Sequence, residues 1–288
     1  MASNDDPTRP VTFREALRAG PYFDLRALDP RSTPGFDGDK EAAEALMPGL
    51  AERASDLQEQ LYAESKAGGN RKILLVIQGM DTSGKGGIMR HVVGAMDPQG
   101  SQITPFKAPT DEERRHHFLW RIRKALPPAG MIGVFDRSHY EDVLIVRVHD
   151  LVPEAEWSKR YDEINEFEAE VAADGTTIIK VMMHLSSEEQ KARLMERLDR
   201  PDKHWKFNPG DIDERRHWDA YQDAYQAVLE RCSTEIAPWY VVPADRKWYA
   251  RLAVLNLLDE HLATLGLQWP AADFDVAEQI DRLRATMD

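Results

Sequence analysis

Short continuous apolar runs at 73–77, 131–135, 177–185 and 240–242 alternate with longer stretches of helical spacing. Short, mostly apolar runs without regular polar alternation are the signature of strands buried on both faces, as in a parallel sheet. A weaker run at 102–107 predicts one more short strand. Between them, Leu50, Leu57 and Leu61 recur at helical intervals, predicting a helix from Glu41 to about Lys66 that breaks or restarts at Pro48 and ends at Ala67-Gly-Gly-Asn70. Thr110 with Glu113, and Ser186 with Glu189, have the spacing of capping boxes. They open predicted helices that run to Pro127-Pro128 and to about Arg200. Further helices are expected over 156–173, 211–231 and 246–265. The first forty residues, rich in Pro, Gly and Asp, read as an arm with at most a short helix near 13–18. The segment after 268 reads as an amphipathic tail suited to contact a second subunit. Strands alternating with helices imply an α/β fold, a parallel sheet covered on both faces.

One junction carries chemistry. The run 73–77 leads directly into Gly79-Met-Asp-Thr-Ser-Gly84-Lys85, and Ile88, Met89, Val92 and Val93 then mark a departing helix. Strand, G-x-x-x-x-G-K, helix is the phosphate-binding loop, in which backbone N–H groups and the lysine surround an anion. Gly79, Thr82, Ser83, Gly84, Gly86 and Gly87 are the expected phosphate-binding positions, with Lys85 reaching the outer phosphates. The residue after the lysine is Gly86, not the usual Ser or Thr, so the hydroxyl that holds Mg²⁺ in such loops is missing. Asp81 lies inside the loop instead. A carboxylate beside phosphate needs a cation between them, so Asp81 is read as a metal ligand. Asp136, at the C-terminal end of the run 131–135, is read as the second one, with Arg137 beside it for a phosphate.

Composition narrows the partners. The chain has 288 residues, 42% of them hydrophobic, enough for one sizeable core with helical additions. Fifty acidic against thirty-seven basic residues give a net charge of -13, which argues against nucleic acid and anionic membrane as partners. The single cysteine, Cys232, excludes an intramolecular disulfide and suits a reducing, cytoplasmic setting, with helix packing as its expected role. No apolar run reaches membrane-spanning length, and the start lacks a basic segment followed by an apolar one.

In an acidic chain, clustered cations stand out. Arg114, Arg115, Arg121, Arg123 and Lys124 concentrate in one predicted helix, which is either a solvated face or the edge of an anion groove. Arg193, Arg197 and Arg200 fall on one face of another, either paired with Glu189 and Glu196 or belonging to a lid that brings arginines to a transferred phosphoryl group. The irregular segment 201–210 mixes Lys203 and Lys206 with Trp205 and Phe207, as would a loop closing over a ligand or one pinned by its aromatics.

Four separated motifs in order, GMDTSGKGG, FDRSHYEDVLIVRVH, KHWKFNPGD and APWYVVPADRKWY, resemble the second family of polyphosphate kinases, and specifically its class III, from roughly Phe36 to Leu265. The resemblance implies a thymidylate-kinase-like phosphate-loop fold with a helical lid at about 186–231. The phosphotransferase domain would then span 67–268, with an N-terminal arm and helix over 1–66 and a tail over 269–288. It implies Mg²⁺-dependent transfer, with Mn²⁺ as a substitute, between inorganic polyphosphate and adenine or guanine nucleotides, AMP and ADP included, by a homo-oligomer. By position, Asp81 and Asp136 would organise Mg²⁺, Lys85 would be the loop lysine, Arg137 the phosphate-binding arginine and Glu141 the class-distinguishing acid. Arg193, Arg197 or Arg200 would supply the lid arginines. Phe106, Lys107 and Tyr140 are the candidates for nucleotide contacts. His117 departs from the family, whose members often carry an acid there. Residue chemistry alone leaves two other readings open: an ATP-dependent nucleoside monophosphate kinase and a non-catalytic nucleotide-binding protein.

Overall fold

A computed structural model of the chain describes residues 11–286. The five apolar runs form one fully parallel sheet in the order β2-β3-β1-β4-β5. The strands are β1 Lys72–Gln78, β2 Ser101–Pro105, β3 Ile132–Asp136, β4 Thr176–His184 and β5 Trp239–Pro243. The phosphate-loop strand is therefore central, with β3 on one side and β4 on the other. Ile77 pairs with Asp136, so the loop and the second aspartate leave the sheet side by side. This is the crevice outside the carboxyl ends of the strands where open α/β sheets bind ligands.

Twelve helices complete the described residues: α1 Phe13–Leu17, α2 Lys40–Lys66, α3 Lys85–His91, α4 Trp120–Ala125, α5 Ile145–Val148, α6 Glu154–Trp157, α7 Arg160–Ala173, α8 Ser187–Asp199, α9 Gly210–Glu214, α10 Trp218–Cys232, α11 Lys247–Thr264 and α12 Val276–Arg284. Two apolar layers cover the sheet. On one face Ala54 and Leu61 of α2 and Leu252, Leu255 and Leu258 of α11 pack on Ile73, Leu75 and Ile77. On the other, Ile164 and Phe167 of α7 and Tyr225 and Val228 of α10 pack on Leu74, Val76 and Trp239. Cys232 lies in this second layer with its thiol pushed up to about 12 by burial, a packing residue as its setting in the sequence suggested. None of the helices among the described residues is long and apolar enough to cross a membrane.

Several expected boundaries move. Pro48 sits inside an unbroken α2, because it lies on the exposed side where a carbonyl that has lost its N–H partner faces water. The Thr110–Glu113 capping box forms, with Thr110 N donating to Glu113 at 2.7 Å. Only a 3₁₀ turn follows, and α4 begins afresh at Trp120. Side-chain contacts divert the chain: the His116 ring stacks on Trp120 at 4.1 Å, and His117 meets Glu163 of α7 at 2.9 Å. The expected helix 156–173 is α6 plus α7, and 211–231 is α9, a 3₁₀ turn and α10. The start of the expected arm, residues 1–10, lies outside the described residues, and its short helix is α1.

Candidate active site

The loop after β1 owes its shape to backbone that only certain residues adopt readily. Gly79 has φ 154° and a Cβ there would stand 2.7 Å from Ser83 Oγ and 2.9 Å from Met183 Cβ. Gly84 has φ 110°, and Thr82, with φ 63°, takes the left-handed region despite its branched side chain. Such backbone persists only where the surroundings hold it. Here α8 does so. Arg193 Nη1 donates to Thr82 O at 2.9 Å, Gln190 Nε2 to Asp81 O at 3.1 Å, and Arg193 Nη2 to Ala244 O at 2.6 Å. Glu189 accepts from Arg193 Nε at 2.8 Å.

The loop opens on a cavity of about 420 Å³ at the carboxyl end of the sheet. Asp81 and Asp136 both line it, together with Lys85, whose ammonium donates to Gly79 O at 2.6 Å. Burial pulls the Lys85 pKa below its ordinary value, while Asp81 and Asp136 oppose that pull. Arg137, the first residue after β3, reaches Asp81 at 3.0 Å. Burial works against the Arg137 charge, but Glu141 and Asp81 outweigh it and its pKa lies above the ordinary value. Burial in turn pushes the Glu141 carboxyl up, against Arg137 and Lys85. These five side chains form one coupled electrostatic group.

The donor set suits a hard divalent cation of a particular kind. No group of three or more His, Cys, Asp or Glu able to hold a metal occurs among the described residues. Two carboxylates facing one cavity suit an ion that keeps water and takes phosphate oxygens for the rest of its shell, which is how Mg²⁺ is usually bound. The buried Thr82 and Ser83 hydroxyls, which have no partner in the structure, sit in the same loop.

Beyond the loop the cavity is strongly cationic. Its wall carries Lys85, Arg90, Arg193, Arg197, Lys203, Lys206, Lys247 and Arg251, eight cations, against three carboxylates, Asp81, Asp136 and Glu196. Arg90, Lys206 and Arg251 make no ion pair among the described residues. Arg197 is held by Asp211 of α9 at 3.3 Å and by Lys206 O at 3.0 Å. Burial, then the Asp81 charge, raises the Asp211 carboxyl above the ordinary range. Trp205 is 78% exposed, so it does not pin the 201–210 segment to the core.

Arg90, Lys247, Arg251 and Asp211 were not singled out from sequence. Lys247 and Arg251, four apart on α11, carried a readable signal: two cations on one face of a helix that is otherwise almost wholly buried. Other expectations are corrected. Tyr140 is fully buried and its hydroxyl donates to Glu168 at 2.7 Å, so it is not open to a nucleotide. Phe106 is 8% exposed, edge-on to Phe135 at 4.9 Å, and also belongs to the core. Lys107 is exposed but off the cavity wall. Arg200, just past the end of α8, pairs with Asp202 and with Glu196 of the cavity wall and does not itself line the cavity. Arg193 lines it but is committed to backbone carbonyls, so it braces the loop. The Arg114 to Lys124 tract borders a separate depression shared with Asp142 and Glu163.

Residues 38–268 match the family model for polyphosphate kinase 2. The chain is 47% identical over 248 residues to an AMP/ADP-polyphosphate phosphotransferase of Meiothermus ruber, covering 86% of this chain and 91% of that protein. It is 44% identical over 263 residues to an ADP-polyphosphate phosphotransferase of Rhodopseudomonas palustris, covering 87% and 89%. The crystal structure of polyphosphate kinase 2 from Arthrobacter aurescens TC1 superposes with a TM-score of 0.93 at 55% identity, over 97% of this chain and 98% of that one. With a phosphate loop, two aspartates and a cation-lined cavity in one crevice of a parallel sheet, the chain belongs to the polyphosphate kinase 2 family.

Proposed function

We propose that the protein transfers phosphoryl groups between inorganic polyphosphate and adenine nucleotides, converting AMP to ADP and ADP to ATP reversibly, with guanine nucleotides as further substrates. The observation that carries this reading is the charge of the cavity wall: eight cations against three carboxylates in a chain of net charge -13. Arg90, Lys206 and Arg251 on that wall have no ion pair among the described residues and carry positive charge beyond the phosphate loop itself, which suits a longer polyanion.

In this reading the terminal phosphate oxygen of the nucleotide attacks the end phosphorus of the polymer in line, one phosphoanhydride bond forming as another breaks. The nucleotide oxygen is already ionised near neutral pH, so no general base is needed. Positioning and charge neutralisation supply the catalysis. Lys85 balances charge on the transferred group, and Arg137 orients Asp81 and an incoming phosphate. Arg197, on a lid formed by 186–231, exchanges its Asp211 partner for phosphate as the lid closes. Asp81 and Asp136 would hold Mg²⁺, replaceable by Mn²⁺, taking the part of the hydroxyl that Gly86 lacks, and the ion would supply charge neutralisation to phosphate oxygens. The family relationship and the exposed tail beyond 268 support a homo-oligomer, dimer or tetramer, working in the cytoplasm. The 67–268 segment acts as the phosphotransferase domain, with 1–66 packed on it.

Purified protein incubated with ADP and Mg²⁺, with and without polyphosphate, followed by nucleotide separation, tests the proposal. ATP should form only with polyphosphate. Equal ATP without polymer would mean disproportionation between two nucleotides and would overturn it.

A further inference from the structure

Behind the site, in the core between the sheet and α7, lies a charged cluster with no part in the transfer chemistry. Lys180, in the middle of β4, is fully buried. Its ammonium donates to Glu168 Oε2 at 2.6 Å, to the Tyr140 hydroxyl at 2.8 Å and to Cys232 O at 2.7 Å. All three donors are used. Glu168 Oε1 accepts from the Tyr140 hydroxyl at 2.7 Å and meets His139 Nε2 at 3.2 Å. The Lys180 ammonium also faces the Tyr140 and Trp239 rings.

A buried ion pair is weak evidence for stability, since apolar residues of similar volume often serve as well. What it adds is direction. A carboxylate fixed by Lys180 offers its second oxygen at one place, and Tyr140 and His139 must both come to it. These two residues sit three and two positions after Arg137, which has φ 64°, left-handed backbone that a bulky L residue keeps only under constraint. On the other side, Arg137 N donates to Ile77 O at 3.1 Å, and Gln78, the last residue of β1, donates to Ser138 Oγ at 3.2 Å. The segment 137–141 is thus gripped from both ends.

We infer that Lys180, Glu168, His139 and Tyr140 form a positioning clamp that holds Arg137 in its left-handed conformation and keeps its guanidinium on Asp81. The inference rests on the functional reading above only for its activity assay. None of the four side chains lines the cavity, so the cluster acts through Arg137.

The test is a double-mutant cycle between Tyr140→Phe and Arg137→Ala, with ATP formation from ADP and polyphosphate as readout. Tyr140→Phe keeps the ring and its packing. It leaves one Lys180 donor and one Glu168 oxygen short of a partner, so it should lower the melting temperature by several degrees and kcat about tenfold, as misplacement of a positioned group does, with KM for polyphosphate unchanged. In the Arg137→Ala background the same change should produce no further fall in kcat. An unchanged kcat in Tyr140→Phe, or an equal fall in both backgrounds, overturns the clamp. His139→Phe, which also keeps a ring, should behave like Tyr140→Phe. The clamp is read without turnover from the Arg137 Nε–Hε NMR resonance of the substrate-free protein, which should shift or broaden in Tyr140→Phe; an unchanged resonance overturns it. Absence of polyphosphate-dependent ATP from the parent would instead overturn the functional reading and leave the NMR result to decide the clamp.

Discussion

Two cation-rich tracts look alike in the sequence and end differently in the fold. In the tract from 113 to 124 the charges are largely spent on neighbours. Arg114 pairs with Asp111 at 2.8 Å, Arg123 with Glu170 at 2.7 Å, and Lys124 lies over the Trp120 ring at 4.2 Å. Arg121 is buried and donates to Lys107 O at 2.8 Å. In the tract around the phosphate loop, contributed by α3, α8, α11 and the 201–206 turn, Arg90, Lys206 and Arg251 have no ion pair among the described residues and face one cavity with Lys85, although Lys206 lies over the exposed Trp205 ring at 4.8 Å. A polyanion is drawn to unspent charge. The contrast teaches that cation density along a chain is a poor guide to an anion site until the partners are known.

The largest effect should come from discharging the head of the second tract. Lys85→Met should cut phosphoryl transfer by at least about 10³-fold, the scale of losing one preorganised charge-stabilising group, with circular dichroism unchanged. Activity within tenfold of the parent would remove Lys85 from the chemistry.

Arg193 sharpens the comparison, because it lies on the active tract yet is spent like the cations of the other one. Arg193→Ala leaves the Thr82 and Ala244 carbonyls without their donor. It should cost about 2–3 kcal/mol in denaturant unfolding as well as activity, whereas an arginine serving only the transferred phosphate would leave stability untouched.

The smallest effect concerns pH. Burial, then the Arg251 and Arg90 charges, holds the His91 imidazole below its ordinary value of about 6.5, so it is neutral at pH 7 and gains its charge on acidification below that value. A folded-state pKa below the usual one means that the extra cation appears on acidification. Polyphosphate should therefore bind more tightly at pH 5.5 than at pH 7.5, by less than about fivefold for an exposed charge. His91→Gln should lose that increment, and an undiminished pH effect in this variant would assign it elsewhere.

Much of the fold was legible because its determinants are local. Five apolar runs of strand length and one glycine-bearing loop specify a parallel sheet with the phosphate loop at its centre. The site was legible where a residue's neighbour in space is set by sheet register, as for Asp81 and Asp136. It was not legible where a partner arrives from a distant segment. Tyr140 stands in a polar stretch beside the candidate site residues Asp136 and Arg137 and reads as exposed, yet Lys180 and Glu168 draw it into the core. A signal existed in Lys180, a lone charge inside the apolar strand TTIIKVMMH, which must find a buried carboxylate. The helix expected from Thr110 failed for the opposite reason: its capping box formed, and tertiary contacts by His116 and His117 then overrode propensity.

The account stands on the claim that polyphosphate occupies the tract with unspent charge. Polyphosphate titrations monitored by calorimetry, at two salt concentrations, would compare the parent with Lys206→Ala/Arg251→Ala and with Arg114→Ala/Arg123→Ala. The account predicts that the first pair weakens binding about tenfold or more and flattens its salt dependence, as losing two facing charges should, while the second pair binds as the parent does. Parent-like binding by the first pair with loss in the second would contradict it.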